Sequence, residues 1–384
     1  MNNLVSFYRK SLGQALAIAS LMCLMSVPFL MNVRVGPQGG FIIESTSAIL
    51  ALCMVLGVTL MGKFTVKPPL VSVMFAVFAI IISLQARLMD ISWVSQVDLT
   101  SSVLLLTALS TWALASWQAQ SVTPLMNWIA LALLVGVLLQ TAVMWMQYFG
   151  LTSYFKGVIS YSSTTNIMGQ LGQRNHLGHY LMWGMVSVLY LCHAKVLSHW
   201  TSIALVFWLG LSMGLIGSRT VLVYLFALGL LTAIWRWRSG ESWRQTTWMM
   251  VFVIILVFMV QLTFESIVNL FHQADATTGV GRLIGGEAPV DSGRQVEWHK
   301  AWLSFLNSPW IGHGWGSFSS QSVLLHNASE KFLGRGPGGV LFTHSHNSLL
   351  QLLSEVGLLG TLWLAGCFAV MVVACFKYAK RPES

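Results

Sequence analysis

Charge is what this chain has least of. Asp, Glu, Lys and Arg make up 9% of its 384 residues, where a soluble domain carries about 25%. So small a charged fraction cannot cover a water-facing surface, which excludes the two or three soluble domains that the length would suggest at roughly 150 residues each. Acidic residues are the scarcer sign, 12 against 21 Lys and Arg, leaving a net charge of +9. A basic balance can point to nucleic acid. With so few charges in total, it reads instead as basic residues placed to orient membrane helices. Cysteine is sparse too. Cys23, Cys53, Cys192, Cys367 and Cys375 all lie within or at the end of apolar runs, and none forms a CxxC pair. That excludes a disulfide framework and a cysteine zinc site. There is no P-loop and no GxGxxG after a strand, so no nucleotide cofactor is expected, and no carboxylate cluster forms a cage for a metal.

Long apolar runs are what the chain has in abundance. Apolar residues make up 55% of it, and ten candidate spans stand out at 13–33, 46–62, 69–86, 100–117, 126–147, 177–194, 201–217, 220–235, 247–264 and 358–376. Each is about the length that crosses roughly 30 Å of hydrocarbon as a helix. The first follows a basic flank, as a signal peptide would. Its length of about 20 residues and its lack of a small-residue cleavage site favour a retained span. Basic residues in short loops place the N-terminus on the inner side. On that topology the inner side holds eleven basic residues with only Glu241 and Glu383, the whole of the +9, and the outer side balances ten basic against ten acidic residues. The expected fold is an all-α polytopic membrane protein of about ten transmembrane helices with one large outer loop containing short helices. Its parts are helices over 1–264, the loop over 265–345, and over 346–384 an outer helix, the last span and an inner tail. The stretch 28–45 reads as a further outer loop.

Four polar constellations interrupt this apolar frame. Gly172-Gln173-Arg174-Asn175-His176 leads into the sixth span. Gln173, Asn175 and His176 are either an interfacial cap or the lining of a polar cavity, since such groups are costly at depth otherwise. Ser218-Arg219-Thr220 joins two spans with almost no loop. Arg219 is a snorkelling anchor or a planar partner for a pyrophosphate. Asp291-Ser292-Gly293-Arg294-Gln295 carries an S-x-x-Q capping box, so a helix starts there. It puts Arg294, Trp298, Trp302 and Phe305 on one stripe and stops at Asn307-Ser308-Pro309. A cation in a first helical turn is slightly unfavourable unless an anion is present, which points Arg294 to a phosphate; the aromatics read as packing on the bilayer. The glycines of Pro309-Trp310-Ile311-Gly312-His313-Gly314-Trp315-Gly316 make a tight turn, in which His313 satisfies a local backbone group. Finally, Thr343-His344-Ser345-His346-Asn347 precedes Asn347, Gln351 and Glu355 at i, i+4 and i+8, one polar stripe on a short helix. Two histidines at i and i+2 fall short of the three or four ligands of a zinc site, whereas a histidine titrating near neutrality suits a general base.

With these pieces in order, the chain resembles the O-antigen ligase superfamily. His346-Asn347, nine residues and then Gly357-Leu358-Leu359-Gly360 match its histidine motif; Ser218-Arg219-Thr220 and Arg294 with Ser308-Pro309-Trp310-Ile311-Gly312-His313-Gly314 match its two arginine positions. Together they cover about residues 205–375. The Gly172–His176 segment looks like the glutamine–asparagine motif of bacterial protein O-oligosaccharyltransferases, which glycosylate pilins and other periplasmic proteins on Ser or Thr. Members usually continue with further spans after the histidine motif, so with a single apolar run before KYAKRPES this chain reads as a short or a shortened one.

The resemblance implies transfer of a glycan from undecaprenyl pyrophosphate at the periplasmic face of the inner membrane, with both termini cytoplasmic and no cofactor. Arg219 and Arg294 are then expected to hold the pyrophosphate, His346 to take or orient the acceptor proton, and Gln173, Asn175, His176, Asn347 and Glu355 to contact substrate. Other readings are a ligase transferring to lipid A-core, a polymerase joining two lipid-linked repeats, a transporter and a membrane scaffold. The polar groups gather at the outer ends of spans rather than on broken helices at mid-depth, which argues against transport. A scaffold leaves the arginines and the histidine segment unexplained.

Overall fold

A computed structural model of the chain describes residues 2–32, 37–62, 64, 67–121, 123–160, 167–218, 220–238, 244–271, 278, 280, 294–332 and 341–378. Among them every regular element is helical. In order these are α1 (Asn2–Leu30), α2 (Pro37–Leu60), α3 (Leu70–Leu88), α4 (Val94–Gln118), α5 (Leu125–Tyr148), α6 (Arg174–His193), α7 (His199–Met213), α8 (Thr220–Arg238), α9 (Arg244–Phe271), α10 (Arg294–Asn307), α11 (Phe318–Leu324), α12 (His326–Phe332) and α13 (Ser348–Tyr378). Two 3-10 turns, Leu151–Phe155 and Gly169–Leu171, lie between α5 and α6. The fold is that of an all-α polytopic membrane protein.

A helix stands at each of the ten expected spans, and α1 to α5, α9 and α13 are long and apolar enough to cross a membrane. Two of the other three fall short for visible reasons. The 15 residues of α7 reach only about 22 Å at 1.5 Å per residue. The 20-residue α6 opens on Arg174, Asn175, His176 and His179, which dilute its apolar content. One expected loop is largely helix. Pro28 lies inside α1 and α2 opens at Pro37, because proline's fixed φ suits a first helical position, where no N–H is needed.

The chain divides into two compact units. The first comprises Met1–Phe64 and Ser116–Glu287. In it α1 and α2 meet backbone to backbone. A Cβ on Gly57 would lie 2.6 Å from the Ala17 nitrogen, and one on Gly13 2.7 Å from the Gly57 oxygen, the small-residue contact that lets membrane helices approach closely. Its core is aliphatic and methionine-rich, with Met144, Leu177, Met185, Leu209 and Val257 fully buried.

The second unit comprises Thr65–Ala115 and Ala288–Ser384. The α3–α4 hairpin closes on Phe78, Ile82, Ala86, Ile91 and Val97, with Val356 of α13 in the same cluster. The expected amphipathic helix is α10. Arg294, Trp298 and Trp302 lie on its exposed side and Val296, Glu297, Lys300, Ala301 and Ser304 on its buried one. Ser292, half of the expected capping box, lies outside the described residues.

Glu297 and Lys300 form an ion pair at 2.6 Å with both residues 0% exposed, and Ser322 bonds each partner at 3.1 Å. Removing one member of such a pair strands a buried charge, while removing both does not. Lys300→Met is expected to destabilise the protein by about 3 kcal/mol, and Glu297→Leu/Lys300→Met by clearly less. Thermal unfolding in detergent checks the order; equal losses in the two variants would contradict it.

Between the outer helix and the last span, α13 is broken at Gly357. Its φ of 65° and ψ of −170° lie in a region that is essentially glycine's alone. The break strands backbone groups, and leaving one unpaired costs about 1–3 kcal/mol. The Pro309–Gly314 turn supplies the partners. The His313 and Gly314 N–H groups donate to the Ser354 and Glu355 carbonyls at 3.0 and 2.9 Å. Beyond the break, Leu358 and Leu359 donate to the carbonyls of Pro309 and Trp310 at 2.8 and 3.1 Å. Gln85 of α3 adds its side-chain amide to the Glu355 carbonyl at 2.9 Å.

Candidate functional site in two clusters

The first cluster lies where α6 begins, in the first unit. Three glutamines build its floor. Gln147 donates to the Ser160 and Gly169 carbonyls at 3.0 Å each and accepts the Gly169 N–H at 2.9 Å. Gln140 donates to the Phe29 carbonyl at 2.6 Å and accepts the Gln170 N–H at 3.0 Å. Gln170 accepts the Ser160 N–H at 2.8 Å. All three glutamines are buried, so the turn entering α6 is held by satisfied amides, the condition for placing polar groups in an apolar interior.

On this floor Gln173 occupies the N-cap of α6 in extended conformation. Its side chain makes no capping bond and is exposed. Asn175 points the other way in function: its Oδ1 accepts the Ser218 hydroxyl at 2.6 Å and the Thr220 hydroxyl at 3.3 Å. Two motifs 43 residues apart are thereby tied together, with Arg219 between the two bonded residues in sequence. Arg219 itself lies outside the described residues. His176 is exposed, one turn from His179, whose ring bonds the Tyr224 hydroxyl. A cavity of about 510 Å³ opens beside them, lined by Pro28, Phe29, Ile43, Leu171, Tyr180 and Trp183 among others.

The second cluster belongs to the second unit and centres on His346. This residue has a φ of 54°, a left-handed backbone that few non-glycine residues adopt. Its imidazole is exposed and stands against Phe342 and His344, with ring centroids 5.0 and 4.1 Å away. Partial burial holds its pKa below the ordinary imidazole value, and the positive charges of His344 and Arg294 push in the same direction, with Glu297 opposing. The imidazole is therefore neutral at neutral pH, the form that accepts a proton. Next along, Asn347 caps α13. Its Oδ1 accepts the Leu349 and Leu350 N–H groups at 3.1 and 3.2 Å, the N-cap geometry that satisfies otherwise orphaned donors. Two turns on, Glu355 is 5% exposed. Its Oε1 accepts the Gln351 amide at 2.7 Å and the Phe318 N–H at 3.3 Å, and the Gly316 backbone bonds it as well.

Two motifs therefore meet in each unit: the glutamine–asparagine segment with Ser218 and Thr220, and the histidine segment with the glycine turn at 312–316. These are the segments that family comparison picks out. The O-antigen ligase model matches residues 204–365, and the protein glycosylation ligase model matches residues 167–192. Over these residues the chain is similar to the O-antigen ligase superfamily. No curated protein and no solved structure matched it.

In this glycan ligase of the O-antigen ligase type, Gln173, His176, Arg294 and His346 are the expected site residues that are exposed, while Asn175 and Asn347 are half-buried and Glu355 is buried. His313 behaves as expected, its ring Nε2 bonding the Ser304 carbonyl at 3.0 Å. Reading the sequence missed Gln85, Gln140, Gln147 and Trp93. The last of these donates its indole N–H to the Trp315 carbonyl at 2.9 Å. A signal existed for the glutamines: an amide inside an apolar span is a polar group at depth that must have a partner.

Proposed function

We propose that this ligase moves a glycan from undecaprenyl pyrophosphate to a Ser or Thr hydroxyl of a periplasmic protein such as a pilin. The acceptor hydroxyl attacks the anomeric carbon as the bond to the pyrophosphate breaks, so the product is inverted at that carbon. Its proton passes to the neutral imidazole of His346, acting as general base. Arg294 and Arg219 hold the pyrophosphate as charge grows on it, the place where preorganised cations act most strongly. Gln173, with its free amide, and His176 meet the donor. Asn175 orients the Ser218–Thr220 segment, Asn347 presents His346 by capping α13, and Glu355 acts from beneath. The leaving group already carries the chemical energy, so the reaction has no nucleotide, and two guanidiniums take the place of a metal. The enzyme sits in the bacterial inner membrane with both termini cytoplasmic and both clusters periplasmic, as the inner-side basic residues favour.

The observation that carries this reading is the exposed His346 beside the Asn347 cap of α13, where burial and the charges of His344 and Arg294 hold its pKa down. A protein acceptor is favoured over lipid A-core by the protein glycosylation ligase match at the α6 segment. Intact-mass analysis of periplasmic and pilin proteins, from strains with and without the gene, tests the acceptor. A glycan-sized mass lost from one protein is expected; loss of an O-antigen ladder with pilin mass unchanged would move the acceptor to lipid A-core. With a lipid-linked donor in vitro, Arg294→Ala is expected to lower transfer about 10–100-fold, the worth of a charged hydrogen bond. Undiminished transfer at equal membrane level would remove Arg294 from the site.

A further inference from the structure

We propose that Gln351 is a positioning residue for His346, the middle of a hydrogen-bond relay that runs from buried Glu355 to the backbone beside the histidine. This rests on the reading of His346 as the base. The relay has four links. The Phe318 N–H and the Gly316 backbone anchor Glu355. Glu355 Oε1 accepts from Gln351 Nε2 at 2.7 Å. Gln351 Oε1 accepts the Ser345 N–H at 2.7 Å. Ser345 then brackets His346, its hydroxyl donating to the Asn347 carbonyl at 2.8 Å and accepting the Asn347 N–H at 3.3 Å.

The direction of the relay follows from chemistry. The Ser345 N–H is a backbone donor that cannot reverse its role, so it takes the amide oxygen of Gln351. That turns the amide's NH₂ side toward Glu355, whose carboxyl oxygen accepts. Gln351 and Glu355 also lie four residues apart on one helix, where side chains meet without further adjustment.

What the relay holds is costly to hold. A left-handed backbone at a non-glycine residue is disfavoured by about 1–2 kcal/mol, and His346 is an exposed residue that adopts one. Cutting the bond at Ser345 lets the segment relax toward ordinary φ. The imidazole then swings away from the position set by the start of α13. A misplacement of about 1 Å can cost a reaction on the order of 100-fold. Substrate binding need not change, because neither Gln351 nor Ser345 is placed against substrate.

The test is a double-mutant cycle on the full chain, with an undecaprenyl-pyrophosphate-linked glycan and a pilin acceptor. Gln351→Leu is expected to lower kcat about 10-fold or more, with the donor KM within about twofold of the parent. In a His346→Ala background the same change is expected to cost less than about twofold, since a misplaced group that is already absent cannot be lost again. Gln351→Glu sets a second carboxylate against Glu355 and is expected to behave like the leucine variant. Equal losses in both backgrounds, with His346→Ala itself strongly impaired, would overturn the relay alone and leave a merely structural residue. So would a raised donor KM at unchanged kcat, or a lowered thermal midpoint with kcat intact. Full transfer by His346→Ala would instead overturn the reading of the base, and the relay with it.

Discussion

Changing His346 to alanine is expected to lower glycan transfer about 10²–10⁴-fold at equal membrane levels, the usual worth of a positioned general base. The donor KM is expected to hold, because the imidazole is assigned to the acceptor proton and not to the glycan or the pyrophosphate. The same residue gives the reaction a pH signature. Its folded pKa lies below the ordinary imidazole value near 6.5, through partial burial and then the charges of His344 and Arg294. The active form is the neutral one. Transfer is therefore expected to be flat across neutral pH and to fall only as the pH drops below about 6.5. His344→Ala removes one of the charges that depress the pKa, so its acidic limb is expected at higher pH than the parent's, while its rate at pH 8 stays close to parental. Initial rates between pH 5 and 8 measure both effects. An acidic limb that persists in His346→Ala, or one that moves to lower pH in His344→Ala, would detach the titration from this residue.

How much of this was legible in the sequence depends on the kind of signal. Apolar runs of about 20 residues announce membrane helices by length alone, so the helices stand where the runs predict them. The stop of α10 before Pro309 was written in local chemistry, a proline. The individual site residues were legible because histidine, arginine and asparagine are conspicuous in an apolar chain. Their partners were not. Nothing in the spacing of Asn175 and Ser218 says that their side chains meet at 2.6 Å, nor that Gln85 closes a gap in a helix far along the chain. Such contacts come from tertiary packing, and periodicity carries no information about it. Glu355 shows the difference most clearly. Its place on a polar stripe with Asn347 and Gln351 was visible, and a polar stripe suggests exposure; the turn at 316–318 covers it with backbone amides. The Glu297–Lys300 pair was missed for the opposite reason, since charges three apart on a helix usually mark a solvated face.

The helix break at Gly357 is expected to be the least replaceable point of the fold. A Cβ there would lie 2.4 Å from the Trp310 oxygen and 2.5 Å from the Ile311 nitrogen. Those are main-chain atoms held by the hydrogen bonds that close the break, so they cannot step aside as a flexible side chain could. The backbone itself, at φ 65° and ψ −170°, is strained for any residue with a Cβ, at about 1–3 kcal/mol. Overlap with a packed neighbour adds about 1–3 kcal/mol more. Gly357→Ala is therefore expected to destabilise the protein by about 4–6 kcal/mol, the upper part of those two ranges together, against a typical total of about 5–15 kcal/mol. Gly312 stands opposite, where a Cβ would lie 2.4 Å from the Glu355 carbonyl, so Gly312→Ala should fail in the same way and at the same joint. The control is Gly366, nine residues further along α13, where a Cβ meets nothing within 4 Å. Gly366→Ala is expected to be neutral or slightly stabilising, as alanine is the better helix former by roughly 1 kcal/mol. Membrane-extracted yield and the thermal midpoint in detergent separate the three variants. A Gly357→Ala protein as stable as Gly366→Ala would mean that the turn at 309–314 yields to the helix, and that the carbonyls of Ser354 and Glu355 find other partners. The prediction also ties stability to chemistry. The turn that closes the break continues into the amides of Gly316 and Phe318 that anchor Glu355, so loosening the joint loosens the support beneath His346.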